Sequence, residues 1–307
     1  MRVRLPAGRA GFTLVEMMIA LIVGLLVLAV TTAMVASTWR GVAGGRMREG
    51  LERNARFINE ALTRDLSETG VGLASSVRFG SLSVRNDTIV ILSVPYVNGT
   101  VATPHTFQYG GLPLLPATGS CGTYCVDVDT LAWDLAANDL ALLQSSNERR
   151  LIEVTNVARS GATAAVTFRS DTTLLQHEAA YARALTLPNN GVAVTKLKFV
   201  AYWVESGRLM RAQELNPDGT PKGELIATGV DSIRVRLVFS NGAEATTANP
   251  IDANGENDWD DILAVRVLAW LQSDPTDLRV NNGQPVTRAY GWWFAPRNLR
   301  YEKNRIN

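Results

Sequence analysis

The sequence predicts an α+β protein, one long N-terminal helix packed on an antiparallel β-sheet domain. An uncharged apolar run fills residues 17–37, and an apolar stripe of helical period continues it across 43–66. Beyond Gly72 the pattern changes to short β-branched or alternating segments between Gly, Pro, Asn and Asp turns, which reads as strands following a helix. With 307 residues, 46% hydrophobic and 19% charged, the chain can bury a large core.

The apolar run comes first. At about 1.5 Å per residue it is roughly 32 Å long, enough to cross a hydrocarbon core of about 30 Å. No second stretch matches it, so one membrane span is expected. Arg2, Arg4 and Arg9 precede it without an acid, which places the N-terminus in the cytoplasm and the C-terminal domain across the membrane, in the periplasm of a Gram-negative cell. An ordinary signal peptide is cut after its apolar stretch; here the candidate cleavage point, between Gly11 and Phe12, lies in front of it, so the helix would survive processing. Removing three arginines from 30 basic residues leaves 27 against 29 acidic, a net −2, so no direct nucleic-acid binding is predicted.

The helix does not end with the span. Ala43, Met47, Leu51, Ala55, Ile58, Leu62 and Leu66 form one stripe, with Arg48, Glu49, Glu52, Arg53, Arg56, Glu60, Arg64 and Asp65 on the other positions. The stripe is expected to pack on the protein's own sheet. Gly70 and Gly72 supply the stop, giving a near-continuous helix over 12–69 of about 80 Å, which Gly41, Gly44 and Gly45 would loosen just outside the membrane.

Strands are expected at 88–94, 140–144, 151–157, 164–169, 192–205, 208–214, 232–239, 262–271 and 290–295. Ser206-Gly207 turns a hairpin, Asn216-Pro217-Asp218-Gly219 is a second turn, and 96–129 is a loop-rich insertion. One domain is expected, with room for two sheets meeting near residue 185.

Candidate chemistry is sparse. Cys121 and Cys125 are the only cysteines in an exported chain, so a disulfide between them is expected, restricting the unfolded chain by about 2 kcal/mol. Zinc held by this pair with His105 and His177 lacks paired ligand spacing. Asp252, Asn254, Glu256, Asp258, Asp260 and Asp261 make an acidic loop in which calcium competes with a simple solvated hairpin tip; the glycine is misplaced for an EF-hand, and no metal site is assigned. No nucleophile elbow, phosphate loop, zinc-protease helix or dinucleotide fingerprint occurs, so no catalytic residue and no cofactor is assigned and the protein is expected not to be an enzyme. Trp259, Trp270, Trp292 and Trp293 read as core or interface aromatics.

Gly11-Phe12-Thr13-Leu14-Val15-Glu16 and the apolar run behind it resemble the class III signal of type IV pilins and type II secretion pseudopilins. The resemblance implies cleavage after Gly11 by prepilin peptidase, N-methylation of Phe12, and pairing of the Glu16 carboxylate with the free N-terminal amine of Phe12 on a neighbouring subunit. A carboxylate at a helix centre in lipid costs about 2.5 to 3.5 kcal/mol and less near an edge, so Glu16 needs such a partner. It also implies a division into residues 1–11 as cleaved leader, 12–39 as transmembrane and assembly helix, 40–70 as its amphipathic continuation and 71–307 as a periplasmic β-rich domain.

Arg64-Asp65-Leu66 ahead of Gly70, the segment Ser-Ile-Arg-Val-Arg from Ser232 and Val265-Arg266-Val267 resemble minor pilins of the PilW family. That resemblance implies a tip or priming complex with other minor pilins and the major pilin, an inner-membrane platform protein, membrane lipid and a tip adhesin as partners, and localisation in the inner membrane and then in the pilus. A J-type minor pseudopilin of type II secretion is the alternative, to which the chain's length is less suited. A membrane-anchored periplasmic enzyme or receptor is a third class.

Overall fold

A computed structural model describes residues 12–73, 75–77, 79–95, 111–113, 124–129, 135–144, 149–161, 163–170, 193–249, 256–273 and 283–299. They form α+β architecture: one helix, then antiparallel strands. The chain divides into two compact units, Met1–Leu51 with Ser273–Val286, and Glu52–Gln272 with Thr287–Asn307.

Helix α1, Leu14–Ser67, runs for 54 residues without a break, about 81 Å at the standard rise. Gly41, Gly44 and Gly45 were expected to loosen it, yet the helix continues through them. These three glycines, two of them adjacent, cost propensity, of order 1 kcal/mol each, but remove no hydrogen bond from the ladder. The stripe is where periodicity placed it: Ala55, Ile58, Leu62 and Leu66 are buried in the larger unit, and Met47 and Leu51 are buried too. At its C-terminal end Gly70 and Gly72 take φ of 71° and 68°, the left-handed conformation that stops a helix, and the Gly70 N–H donates to the Leu92 carbonyl at 2.9 Å.

Among the described residues the larger sheet has ten strands. They are β1 (Leu82–Arg85), β2 (Thr88–Ser93), β3 (Gly111–Pro113), β4 (Cys125–Asp129), β5 (Leu140–Gln144), β6 (Arg149–Ser160), β7 (Thr163–Ser170), β8 (Ala193–Glu205), β9 (Arg208–Leu215) and β10 (Pro221–Thr228). The order β1-β2-β8-β5-β6-β7-β4 hinges on β8, which at 13 residues is long enough to pair with β5 and β3 along its first part and with β2 and β9 along its second. The second sheet holds β11 (Val230–Phe239), β12 (Glu244–Ala245), β13 (Ile262–Gln272) and β14 (Thr287–Phe294), in the order β12-β11-β13-β14.

Several expectations need correction. The segment 96–129, expected to be a loop-rich insertion, contributes the two strands β3 and β4. Strand β1 is additional to the expected strands: Asn86-Asp87, with φ of 46° and 59°, is the turn of a β1–β2 hairpin. Strand β10 was missed because Lys222, Gly223 and Glu224 hide its alternation. The two sheets divide not near residue 185, which lies outside the described residues, but at Gly229 between β10 and β11.

Gly229 shows why the chain changes sheets there. Its φ is +68°, its carbonyl accepts the Gln272 N–H at 2.8 Å, and an added Cβ would stand 2.4 Å from the Gln272 carbonyl oxygen. Only glycine combines that conformation with that approach. Gly229→Ala should therefore destabilise the domain by roughly 1 to 3 kcal/mol, read as a lowered melting temperature of the full chain; an unchanged melting temperature would contradict this account of the junction. A second tie joins the sheets at the β1–β2 turn, where Asp87 Oδ1 accepts the Val235 N–H of β11 at 2.9 Å.

Candidate assembly site

The N-terminus of α1 is built by Thr13. Its Oγ1 accepts the Glu16 N–H at 3.3 Å and its carbonyl accepts the Met17 N–H at 3.2 Å, so Thr13 is the N-cap. Glu16 then occupies the third helical position, in a Thr-x-x-Glu spacing whose acid also complements the positive end of the helix dipole. This capping role, additional to the pairing expected of Glu16, is legible in the Thr-x-x-Glu spacing. Phe12, 80% exposed, stands just outside the cap. Gly11 and the bond expected to be cleaved lie outside the described residues.

The helix beyond the cap is apolar and uncovered. Its best 18-residue window has a mean hydropathy of 2.7 with 0% of that window buried, and α1 is the one helix among the described residues long and apolar enough to cross a membrane. Even its hydroxyls are internally satisfied. Thr31 and Thr32 donate to carbonyls three and four residues back, at 2.9 to 3.0 Å, Thr38 to the Met34 carbonyl at 2.9 Å and Ser37 to the same carbonyl at 2.8 Å. A helix that presents no unsatisfied hydroxyl fits a lipid or protein environment that offers no water.

At the other end, α1 is fastened by a carboxylate. Asp65 was expected on the polar side, but it is 3% exposed. Its Oδ2 accepts the Tyr202 hydroxyl at 2.5 Å and Arg211 Nε at 2.7 Å, while Oδ1 accepts Arg64 Nε at 3.3 Å. Tyr202 and Arg211 are registered partners on β8 and β9, so one acid grips two strands. Burial alone would raise the Asp65 pKa; the hydrogen bonds from Arg211 and Tyr202 and the Arg211 charge outweigh it and hold the carboxyl below its ordinary value. Burial and the Asp65 carboxylate push the Tyr202 hydroxyl up, and against the cost of its own burial Asp65 holds Arg211 above its ordinary value. Around this centre Lys198 pairs with Glu68 at 2.5 Å, Arg288 with Glu52 at 3.1 Å, and Asn298 Nδ2 donates to the Thr69 carbonyl at 3.1 Å. Both carboxylate oxygens of Asp65 accept hydrogen bonds, Oδ2 from two buried donors on neighbouring strands, which makes it an anchor.

The remaining candidates fall unevenly. Asp258, Asp260 and Asp261 bring carboxylate oxygens within 4.8 Å of one another around the 3-10 turn Trp259–Asp261, and Asp261 Oδ1 accepts the Ser240 hydroxyl at 3.1 Å. Asp258 is 3% exposed, so this end of the loop is not a solvated tip. Asp252 and Asn254, the other residues of that loop, lie outside the described residues, as do His105, His177 and Cys121. Cys125 opens β4, and its expected bridge to Cys121 is therefore not described. Trp259 is core, packed so closely on Gly80 that an added Cβ there would meet its ring at 2.7 Å. Trp293 is 55% exposed.

Residues 6–32 match the family described as Prokaryotic N-terminal methylation motif. No curated protein matches the chain. The matched stretch contains Phe12, the Thr13 cap, Glu16 and the start of the apolar helix. The chain is in this respect type IV pilin- or pseudopilin-like, a kind of protein processed by prepilin peptidase and assembled with other pilins.

Proposed function

We propose that the protein is a minor pilin of the type IV pilus, of the PilW kind, which prepilin peptidase cuts between Gly11 and Phe12 and methylates at Phe12. It joins other minor pilins in a tip complex that primes filament assembly for motility or adhesion, anchored until then in the inner membrane with its β domain in the periplasm. The observation that carries this reading is the capped helix α1, which begins within the methylation motif, is apolar over its first part and is held to the β domain through Asp65 at its last turns. A subunit that must hold its place among its neighbours needs its helix fastened to its own domain, and the Asp65 anchor in the last turns of α1 supplies that fastening. The role is structural, with no catalytic residue; Cys121 and Cys125 form a disulfide in the exported domain, and the platform protein and a tip adhesin complete the partner set.

The test is to isolate the processed protein from membranes and identify what accompanies it. Other minor pilins and a large adhesin are expected, with a mature N-terminus at methylated Phe12. Recovery with secretion pseudopilins instead would transfer the protein to the J-type alternative. A chain beginning at Met1 would remove both readings.

A further inference from the structure

The four-stranded sheet has one buried face and one exposed face, and the proposed assembly role uses neither indole nor guanidinium on the exposed one. Val235, Leu237, Val265, Val267, Ala269 and Leu271 fill the buried face. Strand alternation sends Arg234 and Arg236 of β11, Arg266, Leu268 and Trp270 of β13 and Trp293 of β14 to the other.

Register sets them in rows. Arg236 lies directly opposite Arg266, which lies directly opposite Trp293, and Arg234 lies opposite Leu268, which lies opposite Gly291. Like charges in direct register destabilise a sheet, so the Arg236–Arg266 pair is a placement that the fold alone does not favour. The acid beside it is Glu244 on β12, 3.3 Å from Arg266 at the sheet's rim. The Arg234 guanidinium stands 5.2 Å from the Trp270 ring centroid, and Trp293 is 55% exposed. Between the two indoles Gly291 keeps the face low, since a Cβ there would already touch Leu268 Cδ1 at 3.5 Å.

We propose that this face binds single-stranded nucleic acid, with phosphates on Arg234, Arg236 and Arg266 and unpaired bases stacked on Trp293 and Trp270. Arginines two residues apart on one strand are spaced by about 7 Å, comparable with successive phosphates of an extended strand. An open sheet with interleaved arginine and aromatic side chains offers both halves of single-strand recognition, charge for the backbone and π-faces for the bases. A second copy of this chain would set arginine against arginine. A duplex keeps its bases stacked on one another and away from the indoles, and an acidic protein would answer the arginines only. The near-zero net charge argued against nucleic acid, but a sum over the chain is blind to charge segregated onto one face.

The experiment uses the full chain in detergent micelles and a fluorescein-labelled oligothymidylate of about 20 nucleotides at low salt, read by anisotropy. Saturable binding is expected, falling steeply with added salt and weakened at least about tenfold in Trp293→Ala and in the double variant Arg234→Gln/Arg236→Gln. All three positions are solvent-facing, so an unchanged melting temperature verifies that each variant is folded. Absence of binding at low salt would overturn the proposal. So would binding indifferent to Trp293→Ala, or competition by polyglutamate or a duplex of equal length as effective as by unlabelled oligothymidylate. None of these outcomes depends on whether the chain enters a pilus.

Discussion

Asp65→Ala should destabilise the β domain by about 3 to 5 kcal/mol, the largest stability loss expected of any single substitution here, because it strands the Arg211 guanidinium in a site closed on most sides. The substitution removes two hydrogen bonds to neighbouring strands and one to Arg64, and leaves Tyr202, which is fully buried, without its acceptor. Asp65→Asn keeps the shape but not the charge and should fall between the alanine variant and the wild type. Tyr202→Phe, which removes only one donor, should cost about 1 kcal/mol. Urea unfolding of the full chain in detergent, followed by tryptophan fluorescence, measures all three. An Asp65→Ala loss below that of Tyr202→Phe would mean that the carboxylate is not the anchor.

The same centre predicts a pH dependence with two edges. The folded pKa of Asp65 lies below its unfolded value, so its contribution is present above about pH 4 and is lost as pH falls through the folded value. Tyr202 is shifted the other way: its contribution is complete below the unfolded value near pH 10 and is lost as pH rises further. Stability should therefore fall below about pH 4 and again above about pH 10, and Asp65→Asn should flatten the acid edge. An acid edge of undiminished steepness in that variant would assign the effect to other carboxylates.

Asp65 also shows what the sequence could and could not reveal. Periodicity located the stripe on α1 because Ala55, Ile58, Leu62 and Leu66 are apolar and periodic at once, and burial follows directly from both. Asp65 lies beside Leu62 and Leu66 on the same helix, yet its charge argued for solvent, since the partners that make its burial tolerable come from 137 and 146 residues away. No local pattern contains them. The alternation of β11 and β13 was equally legible, but which arginine faces which indole depends on register, and register is set by pairing across the sheet. The methylation motif lies at the opposite extreme: its residues are contiguous, so six letters and an apolar run carry the whole signal.

Glu16→Ala should leave cleavage at Gly11 and methylation at Phe12 intact while lowering incorporation into filaments at least about tenfold, a factor equivalent to about 1.4 kcal/mol. The cleavage expectation follows from the proposed order of events, in which the signal ahead of the helix is cut before any neighbour is present. The assembly expectation rests on electrostatics: in an apolar surround a carboxylate and an amine attract far more strongly than in water, and a carboxylate without that partner opposes insertion. The cap complicates this reading, because Glu16 also sits in the first turn behind Thr13, where an acid steadies the helix end. Thr13→Ala separates the two roles. It removes the Oγ1 acceptor while keeping the Glu16 charge, and should cost the local helix end about 0.5 to 2 kcal/mol with little effect on incorporation. Glu16→Gln keeps the side-chain length and removes the charge, and should behave like Glu16→Ala if the contact is ionic. Should Thr13→Ala abolish incorporation while Glu16→Gln assembles normally, the first turn's geometry and not a charge contact would set the register between subunits.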